Sequence, residues 1–538
     1  MTAGVGTRSR RGSPSSFFAV GVVVVAIAAP LAAVLWRAVH VDGSLTADAL
    51  SRVLGSARTW RVLAVTVGQA AVSAVLTLAV GVPVAWVLAR RRFRGRGLVR
   101  TVATVPFVLP SVVVGAAFAS LLGSRALVDL RGTWWAVFAA HVCFNLAVVV
   151  RIVGAAASSV DPDLESAARL AGLAPRQVFR QVGLPGIRSS IWSAGAVVFL
   201  FCLTSFGVVV VLGGGWVTTI EVEMWVRATR QFDLPGAAVL SGLQAATVLV
   251  ALLVAAPAAS PRQARATIPR TRPVRTNGER LALAASVAAV GVFAVLPLAA
   301  LVERSLRVAG GYGLQHWSAL GQAGGATNLA VDPLASVGAS LRAAVPAALA
   351  AVLVGVPAAL AVARSPRGLA GRVLLLPLAI SATTIGLGLL LVAGRPPLDL
   401  RRSPWLVLVA QALVALPLVV RATVPAFSAQ PRNVIDSARL AGAGPRRLWW
   451  RVQLPMARPA VVAAAGLALI VALGEFGATV FVARTSQPTV PVAIERLLSR
   501  PGEAGNGQAM ALSVVLACLC AALLWAVDRA GGDRGVSL

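Results

Sequence analysis

The sequence predicts an all-α polytopic membrane protein with about 12 transmembrane helices, arranged as two parallel six-helix repeats. Three observations carry this. The 538 residues are 58 % hydrophobic with a mean hydropathy of +0.82, and the apolar residues fall in blocks of about 20, the length that crosses a bilayer core. A sequence pattern in the first half returns 270 positions later. An even number of spans in each half makes the repeat parallel, with its axis along the membrane normal.

Composition excludes several function classes. A net charge of +30 suits nucleic acid, but its placement between apolar blocks points to the lipid bilayer, and no nucleic-acid partner is expected. All 49 basic residues are arginine. A phosphate-cradling P-loop needs its lysine, so ATP hydrolysis is not expected in this chain, and lysine Schiff-base chemistry is excluded. Cys143, Cys202, Cys518 and Cys520 all lie inside apolar blocks and read as small buried apolar residues. His141 reads as an interior histidine with satisfied nitrogens. No metal-ligand cluster, nucleophile–base pair or paired carboxylates appear, so no catalytic residue, metal or bound cofactor is expected.

Taken in order, spans are expected at 17–39, 62–89, 99–123, 133–157, 188–212 and 235–257, then 281–303, 339–363, 372–393, 404–428, 459–483 and 508–527. Arg8, Arg10 and Arg11 precede the first without a small-residue cleavage site, so it reads as a retained helix. Most arginines fall in the N-terminal tail, 90–100, 161–185, 262–280, 364–372, 431–455 and the C-terminal tail. That bias places these segments and both termini in the cytoplasm. Residues 261–280, rich in proline and arginine, read as a cytoplasmic linker between a first lobe at 1–260 and a second at 281–538. Gly81-Val82-Pro83 matches Gly355-Val356-Pro357, and Thr219-Ile220-Glu221-Val222 matches Thr489-Val490-Pro491-Val492.

The segment 161–185, DPDLESAARLAGLAPRQVFRQVGLP, is the centre of the repeat. It reads as two short helices joined at Gly172. Asp161 caps the first, Pro162 suits its first turn, and Pro175 opens the second, which Leu184-Pro185 is expected to stop. Glu165, Ser166, Ala167 and Ala168 line the first helix, and small side chains there let another backbone approach closely. The second copy, 431–455, places Asp436-Ser437-Ala438, Gly442, Pro445 and Leu454-Pro455 in the same register. Both copies separate glycine from the final proline by 13 residues.

One charged residue stands out within the apolar blocks. Glu475, in ALGEFGATVFVA, is costly to bury and is therefore a functional candidate; the alternatives are a helix cap beside Gly474 and Gly477, or a pair with Arg151 or Arg421. Its counterparts are Thr204 and Ser205, so the lobes differ chemically here. Thr204, Ser205, Phe206 and Gly207 with Glu475, Phe476 and Gly477 form the candidate translocation pathway, followed by outer segments at 213–223 and 483–495.

The duplicated loop resembles the EAA loop of the permease subunits of bacterial ABC importers, a pattern of E-A-A, three residues, G, nine residues and I-x-L-P. Val182 and Val452 stand at the isoleucine position, and Ser166 and Asp436 at the first. Two such loops in one chain are similar to the fused permeases of the iron(III) and thiamine importers. The run from Ser205 to Trp225 is most similar to the thiamine permeases, and GEFGAT at 474–479 also to molybdate and sulfate permeases. The resemblance implies a type I importer permease in the bacterial inner membrane. Two copies of a cytoplasmic ATPase, which carry ATP and magnesium, would dock on the loop residues, and an extracytoplasmic binding protein would deliver the solute. The rival reading is an ion-coupled secondary transporter, which needs more intramembrane charge than this chain offers.

Overall fold

The computed structural model describes residues 14–41, 44–123, 129–255, 271–322, 332–364, 380–394, 400, 403–500 and 502–530. The chain is helical nearly throughout. The first half holds α1 (Pro14–Val39), α2 (Ala57–Arg90), α3 (Arg96–Val108), α4 (Ser111–Leu121), α5 (Trp134–Ser159), α6 (Pro162–Leu170), α7 (Arg176–Leu203), α8 (Gly207–Leu212), α9 (Ile220–Thr229) and α10 (Leu234–Ala255). The second holds α11 (Asn277–Leu306), α12 (Ala335–Arg364), α13 (Ala382–Ala393), α14 (Trp405–Ser428), α15 (Arg432–Leu440), α16 (Pro445–Gly474), α17 (Thr479–Val482), α18 (Val490–Leu498) and α19 (Glu503–Ala530). Among the described residues nine helices are long and apolar enough to cross a membrane, or ten when α3 and α4 count as one broken span. The expected first and ninth spans are α1 and the 12-residue α13; residues 372–379 of the latter lie outside the described residues, as do 261–270 of the linker.

Three expectations are corrected. The span at 99–123 is not one helix: α3 and α4 meet at 109°. Leu109, held extended by the proline that follows, and Pro110 make the corner. The spans at 188–212 and 459–483 end early, at Leu203 and Gly474, and short helices α8 and α17 follow each break. Finally, Leu184-Pro185 does not stop a helix. α7 runs from the loop straight into the bilayer, with a π turn at Phe179–Gly183 just ahead of the proline. α16 does the same with a π turn at Trp449–Gln453 before Leu454-Pro455, and α11 with one at Gly291–Val295 before Leu296-Pro297. Proline offers no N–H and its ring crowds the carbonyl four residues back; the wider turn takes up both defects.

Each half packs three long helices together, α2 with α5 and α7, and α12 with α14 and α16. The first helix of each half crosses over. α1 lies on α12 and α13 of the second half as well as on α10 of its own, and a side chain at Gly388 on α13 would collide with the Pro30 carbonyl. α11 lies on α2 and α4 of the first half as well as on α19. One apolar cluster, with Phe206, Trp225, Leu387, Phe476 and Ile494 among its members, draws on both halves.

Candidate functional site

The two copies of the loop adopt one geometry. Asp161 caps α6 by accepting from the Asp163 N–H at 2.8 Å, and Pro162 fills the first turn. Gly172 closes the helix at φ +84°, with its own N–H on the Arg169 carbonyl and that of Leu173 on the Ala168 carbonyl. Gly442 repeats this at φ +80°, with Ala443 bonded to Ala438. This is a Schellman closure, which strongly favours glycine. Leu170 and Leu440, one position in each copy, are both 90 % exposed, a matched pair that the composition of the loops did not single out.

What holds each loop differs. Glu165 is buried and ion-paired with Arg90 at the end of α2, and Arg272 from the chain between the halves lies 3.8 Å from its other oxygen. Arg272 also donates to the Pro162 carbonyl (3.2 Å) and the Ser166 hydroxyl (3.0 Å). The two-residue strand Arg272–Pro273 pairs in parallel with Arg91–Arg92, and Arg91 meets Glu279 at 2.9 Å. In the second copy Ile435 stands at the position of Glu165, while Arg364, which ends α12 as Arg90 ends α2, keeps the arginine. There Gln430 donates to the Gln453 carbonyl (2.7 Å) and Arg364 to the Gln453 side chain (3.1 Å). α15 buries none of its residues, so Asp436, Ser437 and Ala438 stand clear of the helical body. Arg90 and Arg272 were read only as orientation charges; nothing in the spacing links them to Glu165.

The breaks after α7 and α16 bring the other candidates together. Phe206 and Phe476 stack with ring centroids 5.1 Å apart, both buried. Gly207 packs on Ser111 and Phe476, Gly477 on Ala382 and Thr383. Ser205 hydrogen-bonds His141 Nε2 at 2.9 Å, and Ser73 bonds the other ring nitrogen at 2.9 Å, so the histidine is satisfied. Thr204 donates back to the Leu200 carbonyl. Glu475 is a cap: its two oxygens accept from the backbone N–H groups of Ala478 (2.8 Å) and Thr479 (2.9 Å).

Glu221 escaped notice in the sequence because its block read as an outer segment. It is fully buried on α9 and accepts a hydrogen bond from Thr383 of α13, while its Oε1 has no partner among the described residues. A cavity of about 840 Å³ is lined by Trp216, Arg131, Arg304, Arg307, Arg500 and Glu503 among others.

Two equivalent helical lobes, each with an exposed helix–glycine–helix loop continuous with a membrane span, define a transport permease. Residues 81–262 and 351–530 each match the binding-protein-dependent transport system inner membrane component, and the chain belongs to that family. It is similar to the thiamine transport system permease protein of Brucella abortus (strain 2308), at 29 % identity over 99 % of both chains. The corresponding protein of Escherichia coli (strain K12) is 30 % identical over 41 % of this chain and 42 % of its own length. The sulfate transport system permease protein of Salmonella typhimurium (strain LT2) is 30 % identical over 35 % of this chain and 72 % of its own. The fused two-lobe importer permease expected from the duplicated loop is thereby established.

Proposed function

We propose that this chain is the membrane subunit of an ATP-driven importer that carries thiamine into the cytoplasm. The observation that supports the solute is the full-length similarity to thiamine permeases, which extends beyond the family's repeated core. The similarity to the sulfate permease covers 35 % of this chain. Iron(III), the other solute suggested by the fused architecture, has no support among these relatives.

In this reading residues 1–260 and 281–538 are the two lobes, and both termini and both loops face the cytoplasm. Two ATPase subunits dock on α6 and α15, with Leu170 and Leu440 as apolar anchors beside Ser166, Ala167, Ala168, Ser437 and Ala438. An extracytoplasmic binding protein delivers solute to the opposite face. Closure of the ATPases on ATP turns the lobes, and because α7 and α16 continue unbroken from the loops into the bilayer, that rotation reaches the breaks at 204–207 and 475–478 directly. A ligand shifts such an equilibrium only by its differential affinity for the two states, so docking has to be geometrically fixed. The phenylalanine stack closes the pathway between the lobes.

The test is thiamine uptake in a host that needs external thiamine, with this chain expressed beside its ATPase and binding protein. Uptake that needs the ATPase and survives collapse of the proton gradient supports the reading. Loss of uptake on collapsing the gradient while ATP is maintained would favour an ion-coupled carrier.

A further inference from the structure

Intramembrane carboxylates in this chain are engaged in different ways. Glu475 spends both oxygens on the N-terminus of α17. Glu223 pairs with Arg58 at 3.0 Å and Arg227 at 3.4 Å, and Glu495 faces Arg230. Glu221 differs from these: it is fully buried, with a neutral hydroxyl on one oxygen and, among the described residues, no hydrogen-bond partner on the other. A buried acid left in that condition is expensive, and such a residue in a membrane protein points to function.

Its position is equally specific. Glu221 lies on the seam between the halves, where α9 meets α13: Thr383 reaches its carboxylate, and Ser241 donates to Thr384 at 2.9 Å. Ser381 and Gln244 lie beside it, and Gln244 in turn donates to the Leu203 carbonyl at the break of α7. One helical turn along α9, Trp225 meets Phe206 edge-on with centroids 6.0 Å apart, and Phe206 stacks on Phe476. Pro491 occupies the equivalent place in the second half, so the seam carries this acid once.

We propose that Glu221, with Trp225, Phe206 and Phe476 beside it, is the element that selects a planar organic cation as it passes between the lobes. The inference rests on the thiamine reading and names how that solute is recognised within the membrane. Thiamine carries a permanent thiazolium charge on a flat ring. A single carboxylate supplies the countercharge, and aromatic faces attract the ring and its charge together. When the lobes part, Thr383 withdraws with the second half and the carboxylate is left facing the opening.

The experiment uses the complete transporter in a thiamine-requiring host. If the unaltered chain takes up no thiamine, the substrate reading itself fails. Given uptake, Glu221→Gln keeps the shape and the hydrogen-bond acceptor for Thr383 but removes the charge, and Glu221→Asp keeps the charge. Expected is a fall of about tenfold in thiamine moved per ATP hydrolysed for Glu221→Gln, with Glu221→Asp retaining most of it. Membrane insertion at wild-type abundance and copurification of the ATPase with both variants show that each has folded. Wild-type transport by Glu221→Gln, or an equal loss in both variants, overturns the proposal and leaves Glu221 a structural acceptor.

Discussion

Phe206 and Phe476 occupy the same position in the two halves, 270 residues apart, and their rings stack at 5.1 Å with 18° between planes. Equivalent residues meet in this way only beside the axis that relates the halves. Truncating either ring to alanine is expected to destabilise the protein by about 3–5 kcal/mol, with about 1 kcal/mol of each loss shared through the stack. A double-mutant cycle on the purified protein measures that shared part. Strictly additive losses would show that the rings contribute independently. The same variants should hydrolyse ATP without solute, since the seam no longer favours its closed state.

Gly172→Val and Gly442→Val should each abolish transport while leaving the chain inserted. Open space surrounds both positions, so the obstacle is the left-handed backbone, which costs a β-branched residue about 1–3 kcal/mol. Uptake and ATPase copurification measure the effect. Normal uptake by both variants at normal abundance would remove the loops from the coupling route.

The loops should respond unequally to loss of their supports. Arg90→Ala leaves Glu165 buried with only the longer contact to Arg272, a change expected to cost about 3 kcal/mol. Arg272→Ala removes a longer contact and two hydrogen bonds, with a smaller loss of about 1–2 kcal/mol. Arg364→Ala, in the second half, removes the contact to the Gln453 amide but strands no buried carboxylate, and should cost less than Arg90→Ala. Thermal unfolding in detergent ranks the three; equal losses would dissolve the asymmetry.

Glu475→Gln should behave as a lost helix cap. The amide side chain can accept only one of the two backbone N–H bonds well, so stability falls by about 1–2 kcal/mol while the preference among solutes stays put. A change of solute preference in this variant would return Glu475 to the pathway.

The repeat and the loops were legible from spacing, because duplicated segments related by a fixed offset must occupy equivalent places; the same spacing put Phe206 and Phe476 in equivalent segments, but only the fold brings their rings together. Proline was misread at Leu184-Pro185, since the rule for helix ends ignores a π turn supplied by Phe179–Gly183. The corner at Leu109-Pro110 was hidden by an apolar block whose composition does not change across the bend. Arg90 and Arg272 could not be joined to Glu165, because 75 and 107 residues of chain separate them and only folding brings them to one carboxylate.

The exchange of α1 and α11 between the halves has a consequence for biogenesis. α1 leaves the ribosome first and can meet α10 of its own half, yet its other partners α12 and α13 begin at Ala335 and Ala382, so its packing is completed only after more than half the protein has been made. Assembly therefore completes late, and a nascent chain cut before α12 leaves the face of its first helix that meets the second half uncovered. Joining both lobes in one polypeptide ensures that the missing partner always arrives, in equal number and in the same patch of membrane.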